Sequence, residues 1–405
     1  MNNVAVIGLG YVGLPLVLAL LKANKNVIGF DLNSNVVQTL NQGNCHLPLW
    51  EQRVKKEIRS GKNVNFTTCS EDMSGVDAII ICVPTPLNIN GNPNHSYVTA
   101  AMKSISELTI LPSLIILEST VSPGFTRYVS NKFFKDNLSS NNEKIHICFS
   151  PEREDPGNKE FTNVEIPKVI GGLTNACLLK GSDLYMEVFD HIVRASSLET
   201  AELCKLHENT FRAVNISYVN QFRNFSSKLG INFEEVINLA KSKPFGFMAF
   251  TPGIGAGGHC IPIDSHFLLS VAEKEGIDLP IVKDAMTEIR ISAKSTFDWL
   301  KEQKLQTDVL VTGASYKDGI SDMRCSPSIE LIELLSKDYN VSYWDKNVDF
   351  ILIDGIKKES LDDTKFREFT GSIIIVNQSG EVFCKKEILR AKKVLDARYR
   401  VTLKL

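Results

Sequence analysis

Short apolar runs alternate with segments of helix length over the first 150 residues. The runs are rich in β-branched side chains, which is typical of strands buried in a parallel sheet. This alternation predicts a doubly wound α/β domain. The predicted strands cover residues 4–7, 27–30, 78–83, 114–117 and 145–149.

A second alternating set follows residue 305, with predicted strands at 308–313, 340–344, 373–376 and 393–396 and a predicted helix at 327–336. Between the two sets the pattern is helical, over 196–230, 231–242, 265–276 and 279–303. The sequence therefore predicts two Rossmann-like doubly wound β-α-β domains joined by a central helical domain. We expect the domains to cover residues 1–195, 196–304 and 305–405.

The segment 196–230 has few helix breakers and exceeds the usual length of a globular helix. Ser196 or Ser197 can cap it, with Glu199 or Thr200 in its first turn. A helix of this length with an apolar face must bury that face, so it either connects two domains or forms a dimer interface. We expect a homodimer built on this helix.

The first predicted strand runs into Gly8-Leu9-Gly10-Tyr11-Val12-Gly13, and an apolar helix over 14–21 follows. Strand, G-x-G-x-x-G and helix together indicate a dinucleotide site. The glycines allow the tight turn, the approach of a pyrophosphate and the packing of helix on strand, and the helix N-terminus offers N–H groups to the phosphates. Asp31 ends the second strand and suits an adenine-ribose 2′-hydroxyl, which favours NAD over NADP.

Polar loops follow the next three predicted strands, at 84–86, 118–120 and 150–155. Ligands of open α/β sheets bind beyond the carboxyl ends of the strands, so we expect cofactor and substrate at these loops. Glu152 directly follows a strand-ending Ser-Pro, which favours a functional role for it. Lys205 and Asn209 lie four residues apart, and therefore on one face of the long predicted helix.

A loop at 252–264 contains four glycines before Cys260, and Asp264 lies four residues after that thiol. Glycines let backbone approach a ligand closely, so the thiol can reach a substrate. Most cysteines are small buried hydrophobes, but the dinucleotide fingerprint elsewhere in the chain favours chemistry here. In the last predicted domain, Lys317 and Arg324 lie in a polar loop where they can bind a diphosphate.

Composition excludes several classes of function. The chain has 405 residues, a formal net charge of −2 and nine cysteines, so no global field recruits nucleic acid or an anionic membrane. The scattered thiols favour a reduced cytoplasmic enzyme over a disulfide framework or a zinc site, and we expect no metal. The apolar stretch at 4–21 lacks a basic flank and contains Pro15, which argues against a signal peptide or a membrane span.

Over its whole length the chain resembles the UDP-glucose/GDP-mannose dehydrogenase family. The resemblance is carried by motifs in the family's order: residues 8–15, 82–86, 118–121, 150–152, 205–210, 257–260 and 317–327. Within the family, residues 150–158 and 243–247 are most similar to the bacterial branch that acts on UDP-N-acetylglucosamine. Ile254, Ala256, Ser265, Asn94 and Gly319 depart from the family's pattern without removing a reactive group.

The resemblance implies a four-electron oxidation of the C6 hydroxymethyl of a UDP-N-acetylhexosamine to the uronic acid. N-acetylglucosamine is favoured, with NAD as oxidant and surface polysaccharide as the destination. Alternatives within the family are UDP-N-acetylmannosamine and UDP-glucose. The alternative of another class is a catalytically inactive dinucleotide-binding regulatory protein, which would not need the set Cys260, Lys205, Asn209, Asp264 and Glu152.

The resemblance also implies residue roles. Cys260 would form a thiohemiacetal and then a thioester, Lys205 and Asn209 would stabilise the oxyanion, and Asp264 would act with a water as base. Glu152 would activate the hydrolytic water, which Thr120 would help to position. The implied NAD site comprises Gly8, Gly10, Tyr11, Val12, Gly13, Asp31, Pro84, Thr85, Ser119 and Thr120. The implied UDP-sugar site comprises Glu152, Arg153, Lys205, Asn209, Gly257, Lys317 and Arg324.

Overall fold

The structure is a computed structural model that describes residues 1–59, 61, 63–138, 144–153, 164–258, 261–386 and 390–403. The chain divides into two compact units. The first unit contains Met1–Glu208 and His266–Gly276, and the second contains Asn209–Ser265 and Ile277–Leu405. The three-domain division at residues 195 and 304 stays a prediction.

An eight-stranded sheet forms the centre of the first unit, in the strand order 3-2-1-4-5-6-7-8. Every neighbouring pair is parallel except the sixth and seventh strands, which are antiparallel. The order reverses between the first and fourth strands, and such a reversal opens a ligand-binding crevice at the carboxyl edge of the sheet. The strands are β1 (Asn3–Ile7), β2 (Asn26–Phe30), β3 (Val64–Thr67), β4 (Ala78–Ile81), β5 (Leu114–Leu117), β6 (His146–Phe149), β7 (Lys168–Gly172) and β8 (Ile192–Arg194).

Apolar side chains cover both faces of this sheet. Val4 and Val6 of β1 pack into one cluster and Ala5 and Ile7 into another, because successive strand side chains point to opposite faces. Burial on both faces explains why the strands are continuous apolar runs in the sequence. The helices of this part are α1 (Gly13–Lys22), α2 (Ser34–Asn41), α3 (Glu51–Arg59), α4 (Ser96–Ser106), α5 (Phe125–Phe134) and α6 (Asn175–Met186).

The central segment is helical, as predicted. It forms α7 (Leu198–Lys228), α8 (Phe233–Ala240), α9 (Ile261–Lys274) and α10 (Pro280–Glu302). The Oγ atom of Ser197 accepts a hydrogen bond from the Thr200 N–H at 3.1 Å, so Ser197 is the N-cap of α7.

The prediction that a helix begins only after Asp264 was wrong. The helix α9 begins at Ile261, so Asp264 lies in its first turn. Pro262 is compatible with this start, because a proline in the first turn lacks only an N–H that has no partner inside the helix.

The second unit has a five-stranded sheet in the order β10-β9-β13-β14-β15, and its one antiparallel pair is β14 with β15. Strands β11 and β12 form a separate antiparallel hairpin. The elements are β9 (Asp308–Thr312), α11 (Pro327–Leu335), β10 (Asn340–Trp344), β11 (Phe350–Ile353), β12 (Ile356–Glu359), α12 (Asp363–Glu368), β13 (Ser372–Ile375), α13 (Gln378–Lys386), β14 (Lys393–Asp396) and β15 (Val401–Leu403).

A buried arginine joins three parts of the second unit. Arg223 of α7 is 1% exposed and donates to the Gly253 carbonyl at 2.7 Å and the Arg398 carbonyl at 2.9 Å. Asn220, one turn earlier, accepts from the Gly253 N–H at 2.9 Å. The start of the glycine-rich loop is therefore held by both α7 and the turn that follows β14.

The predicted α/β fold is confirmed, and the strands at 340–344 and 393–396 match the observed bounds. The strands β3, β7, β8 and β15 and the hairpin were not predicted, because they are short or have mixed polarity. Across the described ranges, no helix has both the length and the apolar composition that crossing a bilayer requires. The apolar stretch at 4–21 forms β1 and most of α1.

Candidate functional site

The turn between β1 and α1 contains three glycines under different constraints. Gly8 has φ +90°, and a Cβ on Gly13 would lie 1.8 Å from the Gly8 carbonyl oxygen. Apart from Gly10 and its two chain neighbours, no atom of the described residues lies within 4 Å of the position that a Cβ of Gly10 would take. Backbone conformation and contacts within the protein explain why residues 8 and 13 are glycines, but they do not explain the glycine at position 10. A pyrophosphate that lies against the backbone explains Gly10, so the turn fits a dinucleotide.

Asp31 lies directly after β2, beside this turn. Its carboxylate accepts hydrogen bonds from the Leu9 N–H at 2.9 Å and the Asn33 N–H at 2.8 Å. A carboxylate has about four lone-pair sites, so these two bonds orient Asp31 and leave acceptor capacity for ribose hydroxyls. This geometry fits the NAD preference predicted from the sequence.

The loops after β4 and β5 are tied to each other. The Ser119 hydroxyl donates to the Val83 carbonyl oxygen at 2.8 Å, and the two strands pair with Ile81 opposite Leu117. Thr85 is buried, Pro84 is exposed and Thr120 is half-buried. The predicted cofactor residues of these loops therefore lie at one edge of the sheet, the same edge as Gly8.

A buried ionic cluster lies beyond the ends of β5 and β6. The Lys168 ammonium is 3.0 Å from Glu118 Oε1 and 2.5 Å from Glu152 Oε2. The Tyr185 hydroxyl donates to Glu118 Oε1. All four residues are buried, and Glu118 and Lys168 are 2% and 3% exposed.

Strand direction explains how Lys168 reaches this cluster. In the antiparallel pair of β6 and β7, Cys148 lies opposite Gly172 and Phe149 lies opposite Gly171. Continuing that register by three residues puts Lys168 opposite Glu152. The Ser150 hydroxyl donates to the Val169 carbonyl oxygen at 2.7 Å, which extends the pairing beyond the strand.

Burial changes the acid–base properties of this cluster. Burial is the main cause that raises the pKa of Glu118, to about 7 in all; the Lys168 ammonium lowers this pKa and the negative charge of Glu152 raises it. Burial alone would lower the pKa of Lys168, but the two adjacent carboxylates outweigh it and the pKa is raised. Burial and the charge of Glu118 raise the pKa of Tyr185 well above its usual value. At neutral pH Lys168 is therefore an ammonium and Tyr185 a neutral donor.

Sequence analysis missed Lys168 and Tyr185. A signal for Lys168 was available, because a lysine that opens the apolar segment Lys168–Gly172 is unusual unless its charge has a partner. Tyr185 carries no comparable signal, since a tyrosine on an amphipathic helix is ordinary core.

Three predicted substrate residues come together in the first unit. The Lys205 ammonium donates to the backbone carbonyl of Glu152. The Arg153 N–H donates to Glu152 Oε1 at 2.7 Å, while its guanidinium pairs with Glu208 at 2.7 Å and donates to the Pro167 carbonyl at 2.8 Å. The helix α7 is thereby connected to the loop that carries Glu152.

Two further predicted residues meet in the second unit. The Asn209 side-chain amide donates to Asp264 Oδ2 at 2.5 Å, and Asp264 is 1% exposed. Thr210 and Ser265 directly follow Asn209 and Asp264 in the chain, and their hydroxyl oxygens are 3.3 Å apart. The predicted nucleophile Cys260 lies outside the described residues, together with His259, Glu154 and Asp155.

The glycine-rich loop packs against the polar loop that follows β9. The Gly258 N–H donates to the Arg324 carbonyl at 2.9 Å. A Cβ on Gly257 would lie 2.6 Å from the Cys325 carbonyl oxygen and 2.7 Å from the Tyr316 Cβ, so this contact requires glycine. Gly257 and Arg324, both predicted to bind substrate, therefore belong to one pair of loops.

The two predicted phosphate-binding side chains lie in this polar loop. The Arg324 guanidinium pairs with Asp322 at 2.6 Å, and its side chain is 50% exposed. The Lys317 carbonyl accepts a hydrogen bond from the Ser315 hydroxyl at 2.8 Å, which fixes the loop backbone beside Lys317. The geometry leaves the arginine accessible to a ligand but already paired with a carboxylate.

Residues 2–189 match the model of the NAD-binding domain of the UDP-glucose/GDP-mannose dehydrogenase family, and residues 199–288 match the model of its central domain. The UDP-N-acetyl-D-mannosamine dehydrogenase of Pyrococcus horikoshii is 33% identical over 342 residues, which cover 82% of this chain and 80% of the relative. The NDP-N-acetyl-D-galactosaminuronic acid dehydrogenase of Ralstonia nicotianae is 31% identical, over 82% of this chain and 80% of the relative.

A solved structure of the UDP-D-ManNAc dehydrogenase from Pyrococcus horikoshii superimposes with a TM-score of 0.83 at 30% identity. The superposition covers 98% of this chain and 95% of that one. The similarity therefore extends over the residues of both compact units.

A Gly10→Ala variant tests the dinucleotide turn. We expect the unfolding temperature of the native protein, because no described residue beyond the two chain neighbours is near the added methyl group. We expect the KM for NAD to rise by about tenfold or more, because the methyl group occupies the path of the pyrophosphate. Gly13→Ala is the contrast: it should lower the unfolding temperature, since its Cβ collides with the Gly8 carbonyl. An unchanged KM in Gly10→Ala would contradict this assignment of the turn.

Proposed function

Because the chain belongs to the UDP-glucose/GDP-mannose dehydrogenase family and is an NAD-dependent UDP-sugar dehydrogenase, we propose that it oxidises the C6 hydroxymethyl group of a UDP-N-acetylhexosamine to the carboxylate. The observation that carries the proposal is the hydrogen bond between Lys205 and the Glu152 carbonyl, which joins two family motifs that lie 53 residues apart. The hydrogen bond from the half-buried Asn209 to the buried Asp264 supports it from the second unit.

We propose that the first oxidation converts the alcohol to an aldehyde. NAD, held by the glycine turn at residues 8–13 and by Asp31, would accept the hydride in this oxidation, and a second NAD would accept the hydride in the next one. Asp264, through a water, takes the hydroxyl proton, and the Asn209 amide keeps its carboxylate oriented. The Cys260 sulfur then adds to the aldehyde carbon, and Lys205 and Asn209 donate to the resulting oxyanion.

Oxidation of this thiohemiacetal gives a thioester on Cys260, which water then hydrolyses. In that step Glu152 takes a proton from the attacking water, the carbon–sulfur bond breaks, and the proton returns to the departing thiolate. The products are the uronic acid and the free thiol, so no further oxidant is needed. The buried position of Glu152 supports this role, because a carboxylate shielded from bulk water is a more effective base.

The identity of the sugar has support from two sides. The resemblance of residues 150–158 and 243–247 favours N-acetylglucosamine, although 154–158 lie outside the described residues. The relatives reported above are named for N-acetyl-D-mannosamine and N-acetyl-D-galactosaminuronic acid. Both sides agree on an acetamido group at C2, and we propose surface polysaccharide as the destination of the product.

A substrate panel tests this function. Purified protein with NAD should reduce about two NAD per UDP-N-acetylhexosamine, with a kcat/KM at least about tenfold above that for UDP-glucose, because a site built for the acetamido group leaves polar partners unpaired with a hydroxyl. NADH absorbance measures both values, and comparing the gluco and manno epimers identifies the sugar. Reduction of NAD by none of the UDP-sugars would reject the proposal.

Glu152→Gln and Cys260→Ser variants test the covalent steps. Glu152→Gln should give a burst of NADH followed by a turnover about a hundredfold slower than native, because thioester hydrolysis lacks its base. Intact-mass spectrometry of the stalled enzyme should show the added nucleotide sugar. Cys260→Ser should show neither the burst nor the added mass, and full acid production by that variant would exclude the thioester route.

We also propose that the protein forms a homodimer through the second half of α7. Tyr218, Phe222 and Phe225 lie at intervals of four and three residues, on one face of the helix, and each is 43–60% exposed. Tyr218 and Phe222 also line an apolar groove of about 680 Å³, together with Val236 and Phe247. A second copy of the same face would bury these rings and supply the partner that so apolar a surface needs.

The oligomer prediction is tested with Phe222→Glu combined with Phe225→Glu. Both rings are exposed in the isolated chain, so the variant should fold with an unchanged circular dichroism spectrum but have half the native mass in light scattering. Ile281→Glu changes an apolar residue of α10 that is even more exposed than these two rings, and it should keep the native mass. A monomeric native protein would exclude the dimer.

A further inference from the structure

The ionic cluster at the carboxyl edge of the first sheet contains more charge than the proposed reaction uses. Glu152 has a role in the reaction, but Glu118, Lys168 and Tyr185 have none. Removing an ammonium and two carboxylates from water is strongly unfavourable, so a packed core of apolar residues would be at least as stable. Strongly perturbed groups in a crevice are candidates for function, and this cluster lies beside the proposed base.

One ammonium serves two carboxylates, and it cannot compensate both fully. Lys168 lies between Glu118 Oε1 and Glu152 Oε2, so two ionised carboxylates would leave one uncompensated negative charge in a buried site. Like charges at such a site push one carboxyl group towards its protonated form. The surroundings of the two groups decide which one keeps its charge.

Hydrogen bonding favours the charge on Glu152. Its Oε2 faces Lys168 at 2.5 Å, and its Oε1 accepts the Arg153 N–H at 2.7 Å. In Glu118, Lys168 and Tyr185 both donate to Oε1, and among the described residues Oε2 has no hydrogen-bond partner. Donors to both oxygens stabilise a carboxylate, whereas an unpartnered buried oxygen opposes ionisation.

We propose that Lys168 is a positioning residue that orients the Glu152 carboxylate and keeps it ionised for its role as base, and that Glu118 weakens this effect by competing for the same ammonium. The inference rests on the proposed function of Glu152. It assigns the antiparallel strand β7 a task in the reaction, because only that direction brings residue 168 to the end of β6.

Among the described residues, other charged or titratable groups also lie near Glu152. Lys205 donates to its backbone carbonyl, and the guanidinium of the adjacent Arg153 is paired with Glu208. Cys82 and Tyr185 are near enough to interact with it, but burial raises the pKa of each well above its usual value, so both stay neutral. Among these neighbours, Lys168 and Glu118 are the pair whose charges determine that of Glu152.

Two substitutions with opposite expected effects test the proposal. Lys168→Met removes the ammonium, so the acid limb of the pH profile for thioester hydrolysis should move up by about one unit or more. Glu118→Gln keeps the shape but removes the competitor, so the same limb should move down. The rate is measured in single turnovers between about pH 5 and 9, by quenching and intact-mass spectrometry of the enzyme-bound thioester.

The controls separate this effect from a loss of packing. Lys25→Met removes another buried lysine of the same unit, which is paired with Glu187, and it should leave the limb in place even if it lowers the unfolding temperature. Lys168→Arg keeps the charge and should retain a limb near that of the native enzyme. If Lys168→Met does not fold, the sign of the shift in Glu118→Gln decides the question.

A shift of both limbs in the same direction, or no shift in a folded Glu118→Gln, would overturn the role of Lys168. That result differs from failure of the proposed function, which the Glu152→Gln enzyme reports. If Glu152→Gln hydrolyses the thioester at the native rate, Glu152 is not the base. If it stalls while the Lys168 and Glu118 variants keep the native profile, only the present inference is wrong.

Discussion

Hydrogen bonding between parallel strands determines where the chemistry of the first unit lies. The strands β1, β4, β5 and β6 lie side by side and run in one direction, so their carboxyl ends meet at one edge of the sheet. Within the strands the backbone groups are used by neighbours, while the residues just beyond the ends are available to ligands. The glycine turn, the Ser119–Val83 contact and Glu152 all lie along this edge.

The single reversal of direction at β7 gives this edge its cation. A parallel strand in that place would begin at the opposite edge of the sheet, and its first residue would be far from Glu152. Because β7 runs antiparallel to β6, Lys168 lies opposite Glu152 and reaches Glu118 on the far side. The positive charge of Lys168 allows two carboxylates to lie close together in a buried site. Burial is still the main reason that the pKa of Glu118 is raised to about 7.

Features carried by contiguous residues were predictable from the sequence, and features that depend on strand pairing were not. The glycine turn, Asp31 and the long helix follow from local pattern, and the structure contains each of them. To predict the position of Lys168, one needs the direction and register of β7, a strand that the sequence pattern did not reveal. Asp264 was assigned to a loop, although the helix α9 includes it. The glycines before it favoured a loop in the sequence pattern, and they obscured the start of a helix whose first turn tolerates Pro262.

Arg223 has a consequence for the order in which the protein is completed during synthesis. Its guanidinium joins the Gly253 carbonyl to that of residue 397, which is 174 residues further along than the arginine itself. A nascent chain synthesised only as far as the glycine-rich loop contains Arg223 and Gly253 but not the carbonyls of residues 397 and 398. The contacts of Arg223 with residues 397 and 398 therefore form only after residue 398 has been synthesised, so an unfinished polypeptide lacks part of the network around the start of this loop.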